Sequence, residues 1–248
     1  MILLNRRYWK VGKTKEKGRG LFLIRDINAG VVVGDYLGKV VKTSEFDIKE
    51  DEHNLYLMYY HDKASIYPDL KKDDIHLVNH SCVPNLFMYI LHGHTLFFSL
   101  RRIFAGEELT VSYMLSPQDD YCKPCLHICK CESLLCLGTM HLSALRYEEW
   151  NRFKKVNAKK SKRLKVKFGS DLAPLSIYPD EIADNPIYTL FGYGKVSSYK
   201  CNNDKLKSLE EIRGLIRKSG RTLEFSKLNL KVYGVVDGVL FSEVLLNC

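Results

Sequence analysis

This 248-residue sequence predicts a mainly β domain, then a cysteine-rich segment, a helix with a basic linker, and a small α+β unit at the end. Residues 1–115 hold short apolar and aromatic runs broken by turn residues, with almost no long helical period, which is the pattern of a mainly β domain. Residues 116–140 are crowded with cysteine and lack the apolar periodicity needed to hold themselves together by burial. Residues 141–170 read as an amphipathic helix and a basic linker, and residues 171–248 as a short helix followed by strands.

The elements follow in order. Strands are expected at 21–24, 31–36, 55–60, 64–67, 86–91, 95–100 and 109–113. His92-Gly93 between two apolar runs is a hairpin turn signal. Asp73 or Asp74 is placed to cap a short helical turn leading into Asn79. From Leu142 to Val156, apolar Leu142, Leu145, Trp150 and Phe153 form a helical stripe. In the last unit Ser208-Leu209-Glu210-Glu211 has capping-box spacing and opens a helix to about Lys218, which Gly220 stops. Strands follow at 222–225, 230–235 and 239–245, the last two joined at Asp237-Gly238.

Composition limits the function classes. With 46% hydrophobic residues the chain can fill a core, and no apolar run approaches the roughly eighteen residues of a membrane span. The first residues, Met1-Ile2-Leu3-Leu4-Asn5-Arg6-Arg7, hold too short an apolar stretch for a secretory signal, and the charge follows it instead of preceding it. An intracellular protein without a membrane partner is the expectation. Five of the eight cysteines fall between Cys122 and Cys136, and in such a protein a cluster of this kind reads as metal ligands, not disulfides. The net charge of +9 favours acidic partners, or a basic-tail substrate held by local acids. Residues 152–167 hold nine Lys or Arg and no acid. This tract reads either as a solvated linker or as a contact to nucleic acid or another acidic surface.

Several short motifs carry chemistry. Gly18 and Gly20 around Arg19 have no Cβ, so their backbone can approach a ligand closely, although taken alone a Gly-x-Gly reads better as a simple turn. Asn79 and His80 open the segment Asn79-His80-Ser81-Cys82-Val83-Pro84-Asn85; taken alone the pair reads as an Asx turn with a buried histidine. Gly106-Glu107-Glu108-Leu109-Thr110-Val111-Ser112-Tyr113 follows, and both Tyr113 and the Tyr36 of Asp35-Tyr36-Leu37-Gly38 are candidate core aromatics as well as candidate hydroxyl donors. Two cysteine sets compete for a metal: Cys129, Cys131 and Cys136, at Cys-x-Cys-x4-Cys spacing, and Cys122 with Cys125, joined by His127.

In this order and spacing the motifs resemble the SET-domain protein-lysine methyltransferases with a post-SET zinc motif, over roughly residues 1–140. The resemblance implies a SET fold of small curved sheets in which segment 79–85 and the segment ending at Tyr113 cross in a pseudo-knot. It implies S-adenosylmethionine as the methyl donor, bound by Gly18, Arg19, Gly20, Asn79 and His80. It makes Tyr113 the essential hydroxyl and Tyr36 the tyrosine that orients the substrate amine. It implies a structural zinc held by Cys82, Cys129, Cys131 and Cys136. The partner implied is a protein with an exposed lysine, on a histone or another basic tail. The same chemistry on a non-histone cytoplasmic protein, and a silent SET module that only binds a partner, are the alternatives. Val111 departs from the aromatic residue that many members carry two positions before the catalytic tyrosine. Phe87, Tyr89 and Met88 are the nearest substitutes, so the number of methyl groups transferred stays open.

Overall fold

The computed structural model describes residues 1–45, 56–61, 63–82, 84–118, 125–131, 136–145, 147–148, 150–152 and 166–182, together with the strand backbone of 234–236 and 239–241. Its strands are β1 (Trp9–Lys13), β2 (Arg19–Leu23), β3 (Val32–Asp35), β4 (Lys39–Lys42), β5 (Met58–His61), β6 (Ala64–Tyr67), β7 (Asn79–His80), β8 (Leu86–Leu91), β9 (His94–Ser99), β10 (Thr110–Val111), β11 (Gly234–Val236) and β12 (Val239–Phe241). They form sheets in the orders β1-β2, β4-β6-β5, β3-β9-β8-β10-β7 and β11-β12. The architecture is the mainly β one expected, built of small sheets.

Strands β8 and β9 match the predicted runs closely, and the reason is burial. Leu86 and Phe97 point into one core with Tyr36, Val33 and Val111. Their neighbours Phe87, Leu96 and Phe98 point into a second core on the opposite side. A strand covered on both faces shows a continuous apolar run, so these two were easy to see. The turn between them has φ of 50° at His92 and 90° at Gly93. Positive φ at both central residues is the backbone of a two-residue hairpin turn. Val236 and Val239 pair on either side of the predicted Asp237-Gly238 turn, which itself lies outside the described residues. Asp74 caps the predicted short turn, its carboxylate accepting from the Ile75 N–H at 2.8 Å.

Three strands lie outside the predicted set. In β1 and β4 lysines and a glycine interrupt the apolar pattern, and each strand buries little: Trp9 in β1, Val40 in β4. Strand β7 is two residues long and exists only because β10 pairs with it, in parallel, from 31 positions away in sequence (Thr110 opposite Asn79, Val111 opposite His80).

The placement of β10 is the main topological fact. It sits between β7 and β8, parallel to both, although β7 and β8 are separated by only a few residues of chain. Segment 81–85 must therefore cross β10 to pass from one side of it to the other. Asn85 maintains the pairing at this crossing. Its Oδ1 accepts from the Thr110 N–H at 2.8 Å, and its Nδ2 donates to the Glu108 carbonyl at 2.7 Å. The side chain is 2% exposed. Asn85→Ala leaves both backbone groups buried without these bonds, which is expected to cost about 2–4 kcal/mol. Chemical denaturation checks this, and a loss below about 1 kcal/mol would mean that the crossing does not depend on Asn85.

Residues 166–182 run along the same body. Leu172 donates to the Gly38 carbonyl at 2.8 Å, Val40 to Ser170 at 2.9 Å, and Ile182 to Gly30 at 2.8 Å. The Tyr178 hydroxyl donates to Asp35 at 2.7 Å, and Asp35 also receives His94 at 2.7 Å; Asp35 and His94 are fully buried and Tyr178 half-buried. The boundary read from composition at 170/171 falls inside this stretch. Residues 144–145, 147–148 and 150–152 are helical. Trp150 meets Phe87 edge-on at 5.6 Å and Leu142 is buried, but Leu145 is 65% exposed, so the predicted stripe is only partly used. Phe153, most of the basic tract and the predicted 208–218 helix lie outside the described residues. Among the described residues no helix is long and apolar enough to cross a membrane.

Candidate functional site

The glycine turn, β7 and β10 meet at one polar cluster. Strand β2 leaves the turn and runs beside the approach to β10: Phe22 bridges Glu108, and Leu109 donates to the Leu21 carbonyl at 2.7 Å. Asn79 Nδ2 then donates to the Arg19 carbonyl at 3.0 Å and to Glu108 Oε1 at 2.8 Å. Lys17 Nζ reaches Glu108 Oε2 at 2.6 Å, which balances the carboxylate charge. Glycine is required in the turn for two reasons. Gly18 has φ +75°, and a Cβ there would meet nothing, so the turn is open on that side. A Cβ on Gly20 would lie 2.8 Å from Glu108 Oε1 and 3.0 Å from Asn79 Nδ2, closer than side chains approach. The guanidinium of Arg19 is directed elsewhere, to a surface pair with Asp73 at 2.8 Å.

The preceding motif residue, Glu107, has a structural task. It forms a buried pair with Arg101 (Nη1–Oε1 3.0 Å, Nη2–Oε2 2.5 Å) and accepts from the Phe104 N–H at 2.8 Å. Glu107 thereby fixes the turn from which β10 starts, and Glu108 fixes Asn79.

His80 links the polar cluster to the cysteines. Its Nδ1 accepts from the Tyr113 N–H at 3.2 Å. The proton therefore sits on Nε2, which donates to Cys82 Sγ at 3.6 Å. Burial lowers its pKa to about 4, so the ring is neutral near pH 7. The ring meets Tyr113 edge-on at 5.3 Å. One imidazole thus orients both a candidate catalytic tyrosine and a candidate metal ligand.

Tyr36 and Tyr113 pack against one core. Tyr36 donates to the Tyr56 carbonyl at 2.6 Å, and Tyr113 to the Val78 carbonyl at 3.4 Å. Burial raises both phenols above their ordinary range, and Tyr113 adds to the shift of Tyr36. Both stay protonated, able to orient a lone pair but not to act as bases. Of the candidates for the missing aromatic, Phe87 and Tyr89 face the second core, whereas Met88 faces the core that holds Tyr36, Val111 and Tyr113. Strand alternation thus turns both aromatics away from the tyrosine pair.

The cysteines fall into two separate groups. Cys82, Cys129, Cys131 and Cys136 have their sulfurs within 4.8 Å of one another. Cys82 and Cys129 are 3.6 Å apart. Two thiolates on a tetrahedral zinc lie about 3.8 Å apart, given a bond near 2.3 Å, so the donor set fits that ion. The Leu137 N–H donates to Cys82 Sγ and the Gly138 N–H to Cys136 Sγ, both at 3.4 Å, as suits thiolates. Without a cation the neighbouring sulfurs raise the Cys82 and Cys129 thiols far above their usual range; a divalent ion reverses that. The rival ligands Cys125 and His127 are together too, but with His141 and not with the first set. Cys122 lies outside the described residues.

Sequence reasoning missed the tasks of Asn85, Glu108 and His141. The first two stand inside the motifs singled out, where type and spacing drew notice but no partner could be named. His141 stands apart from the cysteine motifs and carried no signal.

This arrangement, with a parallel strand inserted at a crossing and a tyrosine just beyond it, is the SET architecture. Residues 18–114 match the family model described as SET domain, and the chain carries a SET domain there. It is 32% identical over 127 residues to the histone-lysine N-methyltransferase trithorax of Drosophila virilis, which is 48% of this chain and 3% of that protein. It is 35% identical over 111 residues to human histone-lysine N-methyltransferase 2B, 41% of this chain and 4% of that protein. It is 31% identical over 135 residues to the H3 lysine-36 specific histone-lysine N-methyltransferase of Candida albicans, 49% of this chain and 16% of that protein. The chain thus spans a small part of each of these relatives.

Proposed function

We propose that the chain transfers methyl groups from S-adenosylmethionine to a lysine side chain of a protein, on a histone tail or another basic tail. The observation that carries this reading is the union of Asn79, His80 and Tyr113 at the β7–β10 pairing, inside a SET domain whose relatives are named histone-lysine methyltransferases.

S-adenosylmethionine would supply a methyl carbon on a sulfonium, to which a neutral amine would bond as the sulfur–methyl bond breaks and S-adenosylhomocysteine leaves. Gly18 and Gly20 offer backbone that a ligand can approach, and Asn79 and His80 offer polar groups beside it; Arg19 joins them if its side chain leaves Asp73. The substrate lysine must lose its proton first. With a reference pKa near 10.4 that costs about 4 kcal/mol near pH 7.4. Burial beside Tyr36 and Tyr113 lowers this cost by disfavouring the ammonium. Alignment of two reactants supplies roughly 7–11 kcal/mol, more than the deprotonation cost. The site therefore needs shape and oriented hydroxyls more than a strong base, and two protonated tyrosines suit it. The four-cysteine zinc contributes folding energy, and its ligand Cys82 is hydrogen-bonded to His80.

The test is incubation with labelled donor and a panel of histones and cell extract, with mass spectrometry of the labelled protein. Labelled lysine is the expected product, and no labelled protein would sink the reading. Asn79→Ala and His80→Ala should each weaken donor binding at least about tenfold, or 1.4 kcal/mol, while the chain stays folded. Calorimetric titration giving wild-type affinity in both variants would remove the donor-site assignment. Mono-, di- and trimethylated products are separated in the same spectra, and Met88 beside Val111 is the position where a change of product is expected.

A further inference from the structure

The group formed by Cys125, His127 and His141 is not used by the chemistry above. Its three donor atoms form a closed triangle: Cys125 Sγ to His141 Nε2 3.5 Å, Cys125 Sγ to His127 Nδ1 3.9 Å, and His127 Nδ1 to His141 Nε2 3.2 Å. On a tetrahedral zinc with Zn–S near 2.3 Å and Zn–N near 2.05 Å, a sulfur and a nitrogen lie about 3.6 Å apart and two nitrogens about 3.4 Å apart. The observed edges are within a few tenths of an ångström of these.

A second observation concerns the tautomer. His141 Nδ1 lies 2.5 Å from the Ser116 carbonyl, and only an N–H approaches a carbonyl oxygen that closely. The lone pair of His141 is therefore on Nε2, directed at the other two donors. A backbone carbonyl that fixes the tautomer is the usual support of a metal-bound histidine. A third observation is local packing. Leu126 is 70% exposed and Ile128 59%, so burial does little to hold this stretch.

We infer that Cys125, His127 and His141 bind a second zinc ion, distinct from the four-cysteine site. One thiolate and two imidazoles suit zinc, with the last tetrahedral position left to a further donor. The Cys125 thiol gives its proton to solvent when the ion binds. The two groups share no residue, yet they follow one another directly along the chain: Cys125 and His127 serve the second, Cys129 and Cys131 the first. The second ion would tie residues 125–127 to His141 and, through Ser116, to the chain just beyond Tyr113.

The test is metal content of the purified full chain reconstituted with zinc. Two ions per chain are expected, falling to one in Cys125→Ser and in His127→Ala, to one in Cys136→Ser, and to none when Cys125→Ser and Cys136→Ser are combined. Circular dichroism checks that each variant is folded. His141→Cys guards against misfolding, because it replaces one ligand by another. It should keep two ions and strengthen the thiolate charge-transfer absorption of the cobalt-substituted protein. A single ion in the wild type, unchanged by His127→Ala, would overturn the inference and leave the triangle as two hydrogen-bonded imidazoles beside a thiol. An unchanged cobalt spectrum in His141→Cys would overturn it as well. A single wild-type ion lost in His127→Ala but kept in Cys136→Ser would leave this site standing and remove the four-cysteine one.

Discussion

Tyr113→Phe is expected to reduce methyl transfer at least about tenfold, a barrier increase of roughly 1.4 kcal/mol or more, while donor affinity stays close to wild type. The separation follows from what the substitution removes. A phenylalanine ring keeps the edge contact with His80 at 5.3 Å and the backbone N–H that His80 accepts at 3.2 Å. The Asn79 bonds to Arg19 and Glu108 do not involve Tyr113 at all. What disappears is the hydroxyl, whose bond to Val78 is long at 3.4 Å and so leaves it available to a substrate amine. Single-turnover rates with labelled donor, paired with calorimetric donor titration, measure the two effects separately. Turnover above about a tenth of wild type would show that the Tyr113 hydroxyl is dispensable.

Removing the zinc proposed for Cys82, Cys129, Cys131 and Cys136 is expected to have the largest effect on stability. Structural zinc sites in small peptides show apparent binding free energies of roughly 10–16 kcal/mol, comparable to the whole stability of an ordinary domain. Strong chelation should lower the melting temperature by at least about 6 °C, the shift for a loss near 3 kcal/mol in a chain of this size. Cys82→Ser should reduce zinc content by one ion per chain. It should also weaken donor binding, because His80 then loses the sulfur to which its Nε2–H donates. Full zinc retention in Cys82→Ser would break the ligand set, since Cys82 is the member of that set that follows β7 while the other three lie beyond Tyr113.

The coupling of these two effects has a structural cause. Cys82 and His80 stand two residues apart, one oriented toward Cys129, the other bonded to both Cys82 and Tyr113. The His80 imidazole is thus a direct link from the proposed metal ligands to the tyrosine. Two further contacts join the two regions: Met114 packs in the cluster that holds the four cysteines, and Leu115 pairs with His141 of the second proposed metal group.

Local chemistry made much of this chain legible as text. Strands β8 and β9 show as continuous apolar runs because both of their faces are buried, and the His92-Gly93 turn shows because few residues tolerate positive φ in succession. The SET resemblance could be stated from Asn79 to Asn85, from Gly106 to Tyr113 and from the cysteine spacing, since each motif is short and contiguous. Partnership between distant residues was not legible. Glu108 has its role because Asn79 and Lys17 arrive beside it from other strands, and Asn85 because β10 enters between β7 and β8. The cysteines were readable as metal ligands, but Cys125 and His127 read as rivals of the first set, because spacing along a chain does not reveal which sulfurs converge. His141 decides that question from outside the motif. A ligand set is defined by distances in space between donor atoms, and such distances exist only once β7, β10 and the chain beyond Tyr113 have packed together.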